Sequence, residues 1–447
     1  MPADSLKSKS RVGLYIRVLL LGTLLGYAIH RPLPEKFTGS SQLDRIAMHI
    51  IEPVLRLSYY YPTRLCPNAN CMLWWTRGTL NTLSYLIGPI FDYDSQIHME
   101  TTNIEGVKVR LYYPRGNASN DGVLLFIHGG GFAIGNTEMY ESLTRRMAKM
   151  LNIVVLSVDY RLAPETIFPG GLEDCEKVLE YLIQNGRSVY GINPNKIVIM
   201  GDSAGGNLAA AVAQRRVERN AMPRLLGQVL VYPLLQFADI QMSSYRYFHH
   251  HMHGLALVDP LSVAYYYLWY AGVDVVSHPE YAYAAVSNGH VSEHIRELRD
   301  ELFNYTVLAD HFPDDTKYAY REAEPSPGAQ AAIEPFLKNP DFAPLMRKNL
   351  TGLPSSMIVT CEFDVLRDEG VLYAKRLKDA GTPETDYLLN NKVYKWDTSN
   401  VKVDTRWVHY EHGFHAMLNF HNELVLSAES LHEILDYARG LIEQASS

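Results

Sequence analysis

A serine flanked by glycines two residues away on each side marks the chemical centre of the chain, in Gly201-Asp202-Ser203-Ala204-Gly205-Gly206. The apolar run Ile197-Val198-Ile199-Met200 enters it and Asn207-Leu208-Ala209-Ala210-Ala211-Val212 leaves it, which reads as strand, sharp turn and helix. Such a turn lifts a serine hydroxyl clear of the sheet, at the positive end of the next helix. Ser203 is therefore the candidate nucleophile. A hydroxyl attacks a carbonyl only when a base takes its proton and a third group orients that base. Asp364 lies just past the apolar run Met357-Ile358-Val359-Thr360-Cys361, where a parallel sheet presents its active groups, and is the candidate acid. Asp368, four residues on, reads instead as the start of a helix. Two histidines, His412 and His415, flank Gly413-Phe414 after a last strand, and either has the chemistry of the base.

Acyl transfer also needs donors for the oxyanion of its tetrahedral intermediate. His128-Gly129-Gly130-Gly131-Phe132 directly follows the apolar run Val123-Leu124-Leu125-Phe126-Ile127. Backbone without Cβ atoms can approach a substrate closely there, so Gly130 and Gly131 are expected to offer two N–H donors and Ala204 a third. His128 reads as a residue that orients this loop, not as an acid or base.

These groups need a frame that brings strand ends together. Alternating strand and helix patterns run from Gly106 to Val231, lapse over about 236–338 in a tyrosine- and histidine-rich stretch, and resume at Ser356. This is the pattern of an α/β fold, a mostly parallel sheet with helices on both faces and an inserted helical cap. The order Ser203, Asp364, histidine is that of an α/β-hydrolase. The chain divides into 1–30, an N-terminal signal anchor; 31–105, helical pieces covering the body; and 106–447, the catalytic domain with its cap. Residues 390–403 read as an extra loop, and Arg161 and Glu165 as a structural pair.

A net charge of −8 over 447 residues argues against a nucleic-acid partner. Four cysteines are too few for a disulfide scaffold; Cys66 and Cys71 are placed either to pair or to remain two buried thiols. The cluster His249-His250-His251-Met252-His253 has no carboxylate or cysteine at ligand spacing, so no metal is expected. The cap tyrosines read as packing residues. Lys7, Lys9 and Arg11 precede an apolar stretch at 12–29 interrupted only by Arg17, long enough to span a bilayer if Arg17 snorkels to the interface. The rival is a cleaved signal ending near Gly26-Tyr27-Ala28. Sequons at Asn117, Asn304 and Asn349 agree with translocation of the remainder.

Taken together, His128 to Phe132, Asp159-Tyr160-Arg161-Leu162-Ala163-Pro164-Glu165, Gly201 to Asn207, Asp364 to Asp368 and Gly413-Phe414-His415 resemble the hormone-sensitive-lipase-like branch of the α/β-hydrolases, in its arylacetamide deacetylase and neutral cholesteryl ester hydrolase group. The resemblance implies a cofactor-free serine esterase, anchored in the endoplasmic reticulum membrane with a lumenal catalytic domain; a secreted enzyme is the alternative. It favours His415 as the base and is specific for fold and reaction but not for substrate; an active site anchored near a bilayer favours an apolar ester, lipid or xenobiotic, with an arylamide as a variant. Relatives of this kind pair a cysteine two residues past the glycine triplet with one before the acid; Ala133 stands at the first place, so Cys361 is expected to be unbridged. The branch also resembles hormone receptors that have lost the histidine, which leaves a non-catalytic small-molecule receptor as the rival from another class.

Overall fold

The computed structural model describes residues 41–91, 95–116, 121–251, 258–317, 324–381, 384–389, 392–395 and 404–445. The apolar stretch at 12–29, the Asn117 sequon, and Met252 and His253 lie outside these residues. Among the described residues no helix is long and apolar enough to cross a membrane.

The described chain opens with helices α1 (Gln42–Leu55), α2 (Pro62–Leu65) and α3 (Ala69–Phe91), with a π-helical turn at Arg56–Tyr60 between the first two. Cys66 and Cys71 are bridged, which joins α2 to the start of α3. α1 is fixed to the body by Asp44, whose carboxylate accepts the Val425 and Leu426 N–H groups at 2.7 and 3.2 Å. Those N–H groups open the closing helix, so one buried carboxylate satisfies orphan donors at a positive helix end.

Among the described residues ten strands form one sheet: β1 (Ile97–Ile104), β2 (Val107–Pro114), β3 (Val123–Ile127), β4 (Val154–Asp159), β5 (Ile197–Asp202), β6 (Gly227–Val231), β7 (Ser355–Phe363), β8 (Glu384–Leu389), β9 (Lys392–Lys395) and β10 (Thr405–Phe414). Their spatial order is β1-β2-β4-β3-β5-β6-β7-β10-β8-β9. The strands from β4 to β8 in that order pair in parallel, and antiparallel pairing is confined to β1–β2, β2–β4 and β8–β9. β3, β5 and β6 are buried at every position, which is why they read as unbroken apolar runs and not as alternation. Helices α4 (Glu141–Leu151), α5 (Gly170–Tyr190) and α6 (Ala204–Glu218) follow β3, β4 and β5.

Between β6 and β7 lie α7 (Ser243–His251), α8 (Pro260–Tyr270), α9 (Glu280–Val286), α10 (Glu293–Leu302), α11 (Thr306–His311) and α12 (Pro327–Leu337). α8 starts in a capping box at Asp259 and Ser262 and is buried nearly all round. Its tyrosines pack: Tyr270 stacks on Phe132 with ring centroids 3.9 Å apart, and Tyr267 stacks on Phe237 at 4.7 Å. α13 (Arg367–Asp379) follows β7, and α14 (Val425–Gln444) closes the described chain.

Two local expectations are corrected. β1 belongs to the sheet: it lies inside the stretch 31–105 read as helical cover, yet pairs with β2 from Ile97 opposite Pro114 to Ile104 opposite Val107. Only those two end residues of β1 are buried, so its polar middle erased the alternation. Part of the loop read at 390–403 is the strand β9, which with β8 forms a hairpin at the sheet edge, where a polar, half-paired strand gives a weak sequence signal.

Candidate active site

Ser203 ends the β5 turn and caps α6 at φ 54° and ψ −123°, a conformation that a residue with a side chain rarely adopts. The surrounding glycines make it affordable. A Cβ on Gly201 would come within 2.2 Å of the Gly205 carbonyl oxygen, and one on Gly205 within 2.1 Å of that of Ile127. The turn is held on both sides, by Ser203 N–H donating to Val231 O at 2.9 Å and by Leu234 N–H donating to Ser203 O at 3.1 Å.

His415 follows β10 directly, with its Nε2 3.0 Å from Ser203 Oγ and its Nδ1 2.8 Å from Asp364 Oδ2. Asp364, at the end of β7, is fully buried, and its Oδ1 accepts the Leu366 N–H at 2.9 Å. A carboxylate at Nδ1 keeps the proton there and turns the Nε2 lone pair towards the serine. Of the two candidate histidines, then, His415 meets Ser203, while His412 sits within β10. Asp368 faces elsewhere: it accepts Ser243 Oγ–H and the Ser244 N–H and pairs with buried Arg367. It ties the start of the cap to α13.

Gly130 and Gly131 have φ of +115° and +58°. A Cβ on Gly130 would fall 2.1 Å from Ile134 O, and one on Gly131 2.3 Å from the Tyr266 ring. Among the described residues the N–H groups of Gly130, Gly131 and Ala204 have no protein acceptor. Such unpaired donors beside a nucleophile suit an oxyanion. His128 is buried, stacks on Tyr160 at 4.4 Å, and its Nδ1 lies 2.8 Å from Gly129 O; burial pushes its pKa down, so it stays neutral.

Asp202 was not singled out from the sequence, yet it holds the same loop. Its Oδ1 accepts the Gly129 N–H at 2.8 Å and its Oδ2 the Tyr140 hydroxyl at 3.0 Å. Burial pushes its pKa up to about 6, against the pull of these hydrogen bonds and of His415. The folded state thus binds a proton that the unfolded chain releases near pH 4, and Asp202 lowers stability as pH rises from about 4 to 6. Asp202→Asn keeps an acceptor for Gly129 and removes the charge. It is expected to raise stability at pH 7 by about 3 kcal/mol relative to pH 4, read as a widening Tm gap to wild type across that window. A pH-independent gap would show that Asp202 does not titrate there.

Arg161 and Glu165 do not pair with each other. Arg161 grips Asp174 through Nε and Nη2, both at 2.7 Å, and Glu165 takes both Nη atoms of Arg77 at 2.7 and 2.9 Å. Sequence spacing pointed to a neighbour in the same motif, but the partners come from α5 and α3. Cys361 is a buried free thiol beside Met417.

Ser203, His415, Gly130 and Gly131 open on one cavity of about 430 Å³. Its apolar walls come largely from outside the hydrolase motifs: Ile51, Val54 and Leu55 of α1, Leu80 of α3, Tyr266 of α8 and Phe420. A depression of about 540 Å³ around Gln214, Glu218 and Arg347 is remote from this chemistry. No group of three or more potential metal-ligating side chains occurs among the described residues.

Residues 124–300 and 316–397 match a family described as having the alpha/beta hydrolase fold. The chain is 30% identical over 390 residues to arylacetamide deacetylase of Oryctolagus cuniculus, covering 83% of this chain and 90% of that protein. It is 32% identical over 339 residues to neutral cholesterol ester hydrolase 1 of Bos taurus, covering 73% and 75%. In fold it is similar to an esterase of Pyrobaculum calidifontis, with a TM-score of 0.60 at 23% identity over 92% of this chain and 99% of the other. With the sheet order, the serine turn and these likenesses together, the chain belongs to the α/β-hydrolase family, in the group that includes arylacetamide deacetylase and neutral cholesterol ester hydrolase.

Proposed function

We propose that the chain is a serine carboxylic ester hydrolase that cleaves apolar acyl esters through an acyl-enzyme. One observation carries the reading: a hydrogen-bonded line from Asp364 through His415 to Ser203, opening on an apolar cavity beside three unpartnered backbone donors. Ser203 Oγ attacks the ester carbonyl as His415 Nε2 takes its proton, and Asp364 holds the imidazole tautomer and stabilises the imidazolium. The N–H groups of Gly130, Gly131 and Ala204 receive the oxyanion, and His415 returns the proton to the departing alcohol. Water, deprotonated by His415, then frees the acid and restores Ser203. The reaction as written needs no metal or organic cofactor.

An apolar cavity of about 430 Å³ suits an acyl chain or an aromatic acid better than a polar one. An arylamide is the second reading, favoured by the 30% identity to a deacetylase of arylacetamides. A base 3.0 Å from the serine speaks against a non-catalytic receptor on the same scaffold. The test is covalent: a fluorophosphonate should label Ser203 to one equivalent and abolish hydrolysis of p-nitrophenyl butyrate. Hydrolysis surviving full labelling would remove Ser203 from the reaction.

We also place the chain in the endoplasmic reticulum membrane, anchored through residues 12–29 with the remainder lumenal. The basic flank at Lys7, Lys9 and Arg11 favours this orientation. Exposed Asn304 and Asn349 and the Cys66–Cys71 bridge fit an oxidising, glycosylating compartment. Leu43, Ile46, Leu57, Leu65 and Trp74, all strongly exposed, lie on the helices that follow the apolar stretch and suit contact with lipid. Microsomal protein is expected to resist alkaline carbonate extraction and to lose mass with an N-glycosidase. Release of glycosylated protein into the medium would favour the secreted alternative.

A further inference from the structure

We propose that Arg77, on the N-terminal helix α3, is a positioning residue that holds the oxyanion loop of the distant catalytic body in its working shape. The inference rests on the serine-hydrolase reading above and adds to it a part for the N-terminal segment in the chemical step. The Arg77 guanidinium holds three partners at once. Nε donates to Ala133 O at 2.7 Å, Nη2 donates to Ala163 O at 2.8 Å, and Nη1 and Nη2 meet the two oxygens of Glu165. Ala133 ends the turn that carries the oxyanion donors, and Ala163 lies in the loop beneath it, where its N–H donates to Phe132 O at 2.8 Å. One planar fork therefore clamps two loops, which a single ammonium could not do.

The consequence reaches the donors through backbone geometry. Ala133 and Ile134 both donate their N–H to Gly130 O, at 3.1 and 2.8 Å. The peptide between Gly130 and Gly131 is trans, so its carbonyl and its N–H point in opposite directions. Fixing the Gly130 carbonyl inside the turn thus aims the Gly131 N–H outward, and the Ala133 carbonyl that Arg77 grips belongs to the residue closing that turn. Both glycines sit at positive φ with no side chain to lock them, so the turn depends on contacts of this kind. The ion pair alone would not suffice: Glu165 is 64% exposed and Arg77 26%, where such a pair contributes little. The carbonyl contacts, part-buried, carry the effect. The same helix lines the cavity through Leu80, so substrate enclosure and oxyanion alignment share one element.

The test compares Arg77→Ala, Arg77→Lys and Glu165→Gln in the full chain, with active sites counted by fluorophosphonate so that misfolded protein is excluded. Arg77→Ala is expected to lower kcat per labelled site for p-nitrophenyl butyrate by roughly 10- to 100-fold, with KM within about threefold. Binding of an acyl trifluoromethyl ketone, which forms a tetrahedral adduct, should weaken by a similar factor. Arg77→Lys should fall between the two and Glu165→Gln closer to wild type, and added methylguanidinium should recover part of the Arg77→Ala loss. An unchanged kcat per labelled site in Arg77→Lys and Arg77→Ala overturns the inference, as does a loss confined to KM. If Arg77→Ala does not fold, Arg77→Lys decides it by the same readouts, an unchanged kcat per labelled site again overturning the inference. Wild-type protein that hydrolyses the ester but takes no label would instead defeat the serine-hydrolase reading itself.

Discussion

Ser203→Ala is expected to lower kcat for p-nitrophenyl butyrate by about a million-fold, and His415→Ala by about as much, with no further loss in the double variant. The hydrogen-bonded side chains of Ser203, His415 and Asp364 act as one device. Without Oγ there is no nucleophile for His415 to activate, and without Nε2 at 3.0 Å the hydroxyl keeps its proton. A residual rate of about a thousand-fold over water should persist, because the backbone donors and the cavity still bind the developing charge and the acyl group. Neither change should disturb the fold strongly, since Ser203 and His415 lie at a turn and a strand end, so circular dichroism and Tm should stay near wild type. Additive losses in the double variant would mean that the two residues do not share a step.

Asp364→Asn is expected to lower kcat by about 10⁴-fold with little change in KM. The asparagine oxygen can still accept the Leu366 N–H, but its amide then faces His415 Nδ1 as a donor. The imidazole must answer with its lone pair, its proton moves to Nε2, and the ring meets the serine with a donor in place of a base. Asp368→Asn should show the opposite pattern. Its partners are Arg367, Ser243 and Ser244, none of them at the serine, so kcat per folded molecule should stay within about threefold. Weakening a buried charge network should instead cost on the order of 3 kcal/mol and lower Tm. Equal losses of kcat in both variants would break the assignment of the acid to Asp364.

The contrast between these two aspartates shows where sequence patterns are informative. The strand before Asp364 is buried on both faces and reads as a solid apolar run, so its end, and the acid just past it, were visible. A separation of four positions is enough to distinguish Asp364 as a strand-end group from Asp368 as a helix-start group. His412 and His415 could not be separated in that way, since both flank one Gly-Phe pair; resemblance favoured His415, and the path of β10 brings its ring to Ser203. Arg161 and Glu165 show the limit from the other side, for four residues of sequence separation suggested a pair while each finds its partner on another element.

By itself the sequence determined the α/β order of elements, the serine turn, the glycine loop and the acid, because each rests on a local rule. Burial on both faces demands continuous apolar strands, and a strained turn demands glycine where a Cβ would strike backbone 2.1–2.2 Å away. Tertiary structure alone decided the sheet membership of β1, the walls of the cavity, the Asp202 tie to Gly129 and the reach of Arg77 to the oxyanion loop. The Arg77 and Asp202 contacts join residues 56 and 73 positions apart and the cavity takes walls from Ile51 to Phe420, whereas β1 pairs locally with β2 through polar residues that leave no pattern in the sequence. A charged side chain announces in sequence that it needs a partner, but only the folded chain decides which of many compatible atoms comes within 3 Å.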